Sequence, residues 1–194
     1  MRSTVTYDSN CGEHWGGNRD SDVIACGSGF DAIFAGNGDD IVTANRGNDA
    51  IDGGAGNDYL RGGRGFHLLI GGKGDDFLCG DFGSDTLTGG NGADMFVFRP
   101  ETATQLANLA DADIVQDFNA DQGDQIGLTA GIAIAEIALQ VLDTDGDGQA
   151  DATLVKFSSN NGDRILAVVL GTVNAAGATN LTNADFITWP NNSF

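Results

Sequence analysis

Residues 71–98 read GGKGDDFLCGDFGSDTLTGGNGADMFVF. Gly and Asp return on a nine-residue beat, and each beat holds one large apolar residue. Cut before Gly71, Gly80 and Gly89, the blocks are GGKGDDFLC, GDFGSDTLT and GGNGADMFV. Stepping backwards by nine gives GGRGFHLLI, GGAGNDYLR, ANRGNDAID, AGNGDDIVT, CGSGFDAIF and GNRDSDVIA, so the register runs unbroken from Gly17 to Val97. Position six is Asp22, Asp31, Asp40, Asp49, Asp58, His67, Asp76, Asp85 and Asp94; position eight is Ile24, Ile33, Val42, Ile51, Leu60, Leu69, Leu78, Leu87 and Phe96. A repeat this regular decides the architecture before any secondary structure is assigned. A short strand centred on position eight turns that side chain inward and positions seven and nine outward. The six residues before it reverse the chain, and Gly supplies the positive φ such turns need. Two blocks make one coil of 18 residues. Stacked coils give two parallel sheets sharing an apolar seam: an all-β, right-handed parallel β-roll.

In such a stack, same-side aspartates 18 residues apart in sequence lie about 4.8 Å apart in space. At an effective dielectric near 20, two such charges repel by about 3.5 kcal/mol. The whole chain of 194 residues carries 28 acidic and 9 basic side chains, a net charge of −19. A hard dication between neighbouring carboxylates reverses the sign of that energy. Carboxylate- and carbonyl-rich oxygen sites suit Ca²⁺, whereas Zn²⁺ takes His and Cys, of which there are two and three. Metal binding and folding are expected to be one event. The same charge argues against nucleic acid or an anionic membrane as partner, and no apolar run approaches the ~18 residues of a membrane span.

The nine-residue pattern resembles GGxGxDxUx, the repeat of RTX (repeats-in-toxin, haemolysin-type) calcium-binding proteins, over residues 17–97. The resemblance implies that each ion is held by two loops 18 residues apart. The first gives the carbonyls of positions two and four and its Asp; the second gives those of positions one and three and its Asp. One column then pairs Asp22, Asp40, Asp58, Asp76 and Asp94 in succession, with backbone partners Gly36, Gly38, Gly53, Gly54, Ala55, Gly56, Gly71, Gly72, Lys73, Gly74, Gly89 and Asn91. The other pairs Asp31 with Asp49, with Gly27 and Gly29 in the first loop, and then meets His67 before Asp85. His67 takes a carboxylate from two sites, which are expected to be weak or empty. A zinc role for it would need further partners, and only His14 and the three Cys exist. Asp20, standing where a Gly belongs, makes the first loop irregular too.

The resemblance also implies secretion. MRSTVTYDSNCGEHW has no apolar core of a signal peptide; RTX proteins typically leave by the type I route with an uncleaved C-terminal signal, which LTNADFITWPNNSF resembles. Residues 1–16 are expected to cap the roll, with Trp15 at an apolar position and Glu13 at an Asp position. Residues 98–194 are expected to form a C-terminal capping domain; MFVF at 95–98, closing the roll, and then DIVQDFNADQGDQIGL at 113–128 resemble the ends of serralysin-type rolls and of mannuronan-epimerase repeat modules. IALQVLD at 137–143, ATLVKF at 152–157 and RILAVVLGTV at 164–173 read as strands. Between the first two, Asp143, Asp145, Asp147 and Asp151 are spaced like the first half of an EF-hand loop, without the closing Glu. A further calcium and a polar hairpin turn both fit that loop.

Cys11 falls at position four of an imperfect block and Cys26 at position one of the block stacked on it. A disulfide would staple the first coil; free thiols are the alternative. Outward positions of the odd blocks (Val23, Ile41, Tyr59, Phe77, Met95) make an apolar stripe, over which we expect the C-terminal half to fold back; a partner or a second copy binding there is the rival. No HExxH, GxSxG or P-loop occurs. The reading is a non-catalytic, calcium-folded secreted module that aids export or steadies an attached or partner domain within a larger parent protein. An adhesin piece or polysaccharide binder is the alternative, with Arg46, Arg61, Arg64 and Lys73 as its basic cluster.

Overall fold

The computed structural model describes residues 5–7, 15–16, 19–99, 104–105, 109–129, 132–159 and 162–189. Among the described residues eleven strands precede residue 99: β1 (Val5–Tyr7), β2 (Trp15–Gly16), β3 (Val23–Ala25), β4 (Ala32–Asn37), β5 (Ile41–Arg46), β6 (Ala50–Ala55), β7 (Tyr59–Arg64), β8 (Leu68–Lys73), β9 (Phe77–Phe82), β10 (Thr86–Asn91) and β11 (Met95–Phe98). From β4 to β10 each strand is six residues long. Position eight faces inward, and so does position one, two residues on, as the strand's period of two requires. All nine position-eight side chains are buried, together with Cys26, Ala35 and Ala44 at position one.

Odd strands form one sheet in the order β1-β3-β5-β7-β9-β11, and even strands the other, β2-β4-β6-β8-β10. Every step is parallel and shifted by 18 residues: Val23 pairs with Ile41, Ile41 with Tyr59, Tyr59 with Phe77 and Phe77 with Met95. The two N-terminal strands keep this register, Val5 opposite Val23 and Trp15 opposite Ile33. The ladder therefore begins before residue 17. The result is a parallel β-solenoid, the β-roll expected from the nonapeptide.

After residue 99 the strands are β12 (Thr104–Gln105), β13 (Asp113–Val115), β14 (Gln125–Thr129), β15 (Ile137–Leu142), β16 (Ala152–Ser159), β17 (Gly162–Leu170) and β18 (Phe186–Trp189). β14 and β18 extend the odd sheet in parallel, while β13 and then β17 extend the even one. β16 and β15 add an antiparallel meander, and β12 pairs with β17. The expected fold-back over the odd sheet is corrected by this arrangement: among the described residues the C-terminal half stacks end-on. Val23 and Ile41 stay exposed. The physical reason is that β10 and β11 would otherwise leave open ladder edges and an uncovered apolar seam, which cost more than an exposed outer stripe. Val115, Ile126, Leu166, Val169 and Phe186 continue the same buried cluster.

Candidate metal centre

The turns between strands place the position-six carboxylates in two columns, and one hydrogen bond recurs along each. Oδ1 of an Asp accepts the backbone N–H of the residue one coil earlier: Asp22 to Asp40 (2.6 Å), Asp40 to Asp58 (2.8 Å), Asp58 to Asp76 (2.8 Å) and Asp76 to Asp94 (2.9 Å). In the second column Asp31 N–H donates to Asp49 Oδ1 (2.9 Å) and His67 N–H to Asp85 Oδ1 (2.8 Å). These aspartates are buried. Their second oxygens are the anomaly. Oδ2 of Asp40, Asp58, Asp76, Asp85 and Asp94 is fully shielded and has no hydrogen-bond partner. A buried carboxylate oxygen with nothing to bind costs several kcal/mol, a cost that a proton or a cation beside it would relieve.

Burial drives the ion-free acid constants upward. It lifts the Asp49, Asp58 and Asp94 carboxyls to about 6 and Asp76 to about 7, partly offset by the donated N–H and reinforced by neighbouring aspartates. Asp40, Asp85, Asp113 and Asp124 are raised for the same first cause. His67 is pulled down to about 4 by burial and stands neutral at pH 7.

Backbone carbonyls of the turns crowd the space between successive coils. Those of Gly36, Gly38, Gly54 and Gly56 point at the next coil: a Cβ on Gly54, Gly56, Gly72 or Gly74 would sit 2.1, 2.0, 2.3 or 2.1 Å from them respectively. Gly72 and Gly74 aim likewise at Gly90 and Gly92, and Gly29 at Gly47. Pointing back, the carbonyl of Gly71 lies 2.8 Å from where a Gly53 Cβ would be, and that of Gly89 2.6 Å from a Gly71 Cβ. Ala55, Lys73 and Asn91 accept the N–H of Gly38, Gly56 and Gly74, each at 2.8 Å, and Gly27 accepts that of Arg46 at 3.2 Å. A carbonyl has a second lone pair to give. Position one is small for a separate reason: a Gly53 Cβ would be 2.5 Å from Asp58 Oδ2, and a Gly71 Cβ 2.4 Å from Asp76 Oδ2. Two carboxylates and four carbonyls, all oxygen, fit Ca²⁺.

Three ligand-type residues escaped the sequence reading. Asp94 N–H donates to Asp124 Oδ1, and Asp85 N–H to Asp113 Oδ1, both at 2.9 Å. Asp117 accepts from Gly89 and Gly90 (2.9 and 2.8 Å). Asp-Ile-Val at 113–115 and Asp-Gln-Ile at 124–126 keep the position-six-to-eight signature, but the spacing to the previous rung is 28 and 30 residues instead of 18. Position five builds its own exposed ladder, with Asn57 N–H on Asp39 Oδ1 and Asp75 N–H on Asn57 Oδ1 (both 2.9 Å).

The hairpin between β15 and β16 gathers Asp143, Asp145 and Asp147, whose oxygens lie within 4.8 Å of one another at the surface. Both oxygens of Asp143 already accept backbone N–H groups, from Gly146 (2.7 Å) and Gly148 (2.8 Å), which hold its carboxyl below the usual range. Asp151 turns away to Thr144. That is a turn built of Asp side chains; beyond the clustering, nothing marks an ion. Cys26 is disulfide-bonded and Cys79 is a buried free thiol. Cys11, Glu13 and His14 lie outside the described residues.

Fold and site define a calcium-binding repeat module. Residues 16–51, 34–66 and 68–96 match the RTX calcium-binding nonapeptide repeat, in four copies, so the chain carries RTX repeats over the roll. No curated protein matches it. Among solved structures it is similar to the AlgE6R3 subunit of the Azotobacter vinelandii mannuronan C5-epimerase, at 22% identity and a TM-score of 0.41, over 94% of this chain and 86% of that one. It is also similar to the AlgE6R2 subunit of that enzyme, at 23% identity and a TM-score of 0.38, over 87% and 88%. Among the described residues no helix is long and apolar enough to cross a membrane.

Proposed function

We propose that the chain is a non-catalytic, calcium-folded module of a secreted protein, in which ions stacked along the roll order it outside the cell and brace an attached or partner domain. The row of buried, unpartnered Oδ2 atoms at Asp40, Asp58, Asp76, Asp85 and Asp94 carries this reading. In it, each ion between Asp40 and Asp58 takes both carboxylates with the carbonyls of Gly36, Gly38, Gly53 and Ala55. The next two use Gly54, Gly56, Gly71 and Lys73, and then Gly72, Gly74, Gly89 and Asn91; Asp22 and Asp31, with Gly27 and Gly29, open the two columns. A cell interior poor in calcium leaves the polyanion extended for type I export, and calcium outside folds it. Asp76→Ala is the test. Asp76 serves the cells on both its sides, so calcium stoichiometry by equilibrium dialysis is expected to fall by about two, against about one for Asp22→Ala at the ladder's first rung. Equal losses would defeat the layered arrangement.

A ligand-binding reading has one observation in its favour. A pocket of about 340 Å³ is lined by Thr43, Asn45, Arg46, Arg61, Arg64 and Phe82 among others. Arg61 is paired with buried Asp81, which Arg99 also reaches at 3.1 Å. Among the described residues Arg46 and Arg64 form no ion pair, and Arg64 lies 5.3 Å over the Phe82 ring. Two unpaired guanidinium groups on so acidic a chain suit an anionic ligand group. On a glycan array with calcium, binding that drops about tenfold or more in Arg46→Gln/Arg64→Gln, a loss of ~1.4 kcal/mol, would support it. An array without binders removes it.

A further inference from the structure

The orphaned oxygens have a direction. Asp58 Oδ2 and the carbonyl of Gly71, one coil on, both crowd the Cβ position of Gly53, at 2.5 and 2.8 Å; Asp76 Oδ2 and Gly89 O do the same at Gly71, at 2.4 and 2.6 Å. Each Oδ2 thus opens toward the following coil, while Oδ1 accepts an N–H from the coil before. Asp94 Oδ2 keeps that pose, 2.3 Å from a Gly89 Cβ, and is buried without a partner. The coil it opens toward is not a repeat. It is the turn from Asp117 to Asp124, between β13 and β14.

That turn has eight residues where Gly89 to Asp94 has six, so its backbone cannot follow the repeat residue for residue. Side-chain oxygens stand in for carbonyls. In the repeats a position-four N–H donates to a position-three carbonyl one coil on, as Gly74 does to Asn91 at 2.8 Å. The Gly92 N–H donates instead to Gln122 Oε1, at 3.2 Å. Gln116 N–H reaches Leu87 O, which puts Asp117 one coil on from Gly89, and its two oxygens accept the Gly89 and Gly90 N–H groups (2.9 and 2.8 Å). Asp124 Oδ1 accepts the Asp94 N–H at 2.9 Å, as any rung does. Burial raises the Asp94 carboxyl and the charges of Asp124 and Asp117 raise it further, so three carboxylates face one gap. Among the described residues no salt bridge reaches any of them. Asp124 Oδ2 breaks the pattern, because it accepts the Asn119 N–H at 2.8 Å. The open oxygens of this column therefore stop at Asp94.

We propose that the gap between the last repeat and the cap holds a calcium ion of its own, bound by Asp94 Oδ2, Asp124 Oδ1, Asp117 and Gln122 Oε1 with the carbonyls of Gly90 and Gly92. Three carboxylates in place of two give it more charge than a repeat cell, and ligand charge tightens calcium. Asn119 ends the ladder by giving the final Oδ2 a peptide N–H where earlier rungs meet an ion. The site rests on the calcium reading of the roll and extends it: the ion joins the C-terminal strands to the repeats through residues that no repeat motif contains.

Calcium bound at saturation is counted by equilibrium dialysis for the full chain, for Asp124→Asn and for Asp76→Ala. Asp124→Asn keeps an acceptor for the Asp94 N–H and is expected to lose about one ion, where Asp76→Ala loses about two. Gln122 is exposed, and Gln122→Glu retains Oε1. In isothermal titration that variant is expected to bind its tightest calcium about threefold more strongly or better, since the added carboxylate meets a cation. Without an ion the new charge would join three others and weaken calcium-induced folding. Two ions lost from Asp76→Ala with none lost from Asp124→Asn overturns the terminal site and leaves the ladder standing; no loss from either removes both. Where Asp124→Asn does not fold, Gln122→Glu decides, and unchanged or weaker calcium binding overturns the site.

Discussion

Chelation at pH 8 is expected to abolish the cooperative thermal transition and reduce the far-UV circular dichroism to that of an unordered chain; adding calcium restores both. The energies run one way. Along each column, carboxylates about one strand spacing apart repel by ~3.5 kcal/mol per neighbouring pair, and each buried Oδ2 without a partner adds a desolvation cost. Calcium converts both terms to attraction within one all-oxygen cell. Magnesium is the control, since it demands a smaller octahedron and sheds water reluctantly. Full restoration by magnesium, or an unchanged melt in EDTA, would refute the coupling of ion binding to folding.

The acid constants give the same experiment a second axis. An unfolded Asp titrates near ~3.9, while Asp49, Asp58 and Asp94 in the ion-free fold sit at about 6 and Asp76 at about 7. The folded state holds more protons between those values. Its ion-free stability is therefore fully present below the unfolded value and is lost as pH rises through 6 to 7. Calcium must displace those protons, so its affinity falls as the medium is acidified across the same window. The chelated chain is expected to regain β-sheet signal near pH 5 and lose it again at pH 8. A pH-independent calcium midpoint between 5 and 8 would contradict the burial of the columns.

How much of this the sequence discloses depends on which residues repeat. Ile24 through Phe96 are legible as the seam because nine large apolar residues keep one spacing. Position one is equally inward but silent, since Gly, Ala and Cys give no apolar signal and Gly53 and Gly71 are small in order to clear a carboxylate. Asp113 and Asp124 continue the columns on rungs 28 and 30 residues away, so a search at fixed period passes over them. Only tertiary stacking, with Ile114 beside Thr86 and Gln125 beside Met95, brings them into line. The end-on docking of the C-terminal half was hidden for a related reason. An apolar outer stripe is visible in a string of letters, whereas an unpaired strand edge exists only once the sheet is built.

The second large effect belongs to a single methyl group. Gly74 and Gly146 both have positive φ, 118° and 81°. A Cβ on Gly146 would meet nothing within 4 Å, so Gly146→Ala carries only the left-handed penalty, about 1 kcal/mol. On Gly74 the same atom would stand 2.1 Å from Gly56 O and 2.6 Å from Gly56 C. Backbone cannot swing aside as a flexible side chain can, and here it is pinned from the other direction by the Gly56 N–H bonded to Lys73 O. The coils must separate locally, and the carbonyl that moves is one assigned to the ion between Asp58 and Asp76. Gly74→Ala is therefore expected to cost about 4 kcal/mol or more at saturating calcium and to raise the calcium midpoint of folding by well over tenfold, a shift of more than ~1.4 kcal/mol. The comparison separates two causes that a single variant would confound. Equal, small losses at both positions would mean that coils can spread without penalty, and the interlayer carbonyls would then hold no ion in place; a large loss at Gly74 alone locates the binding energy in the gap between coils.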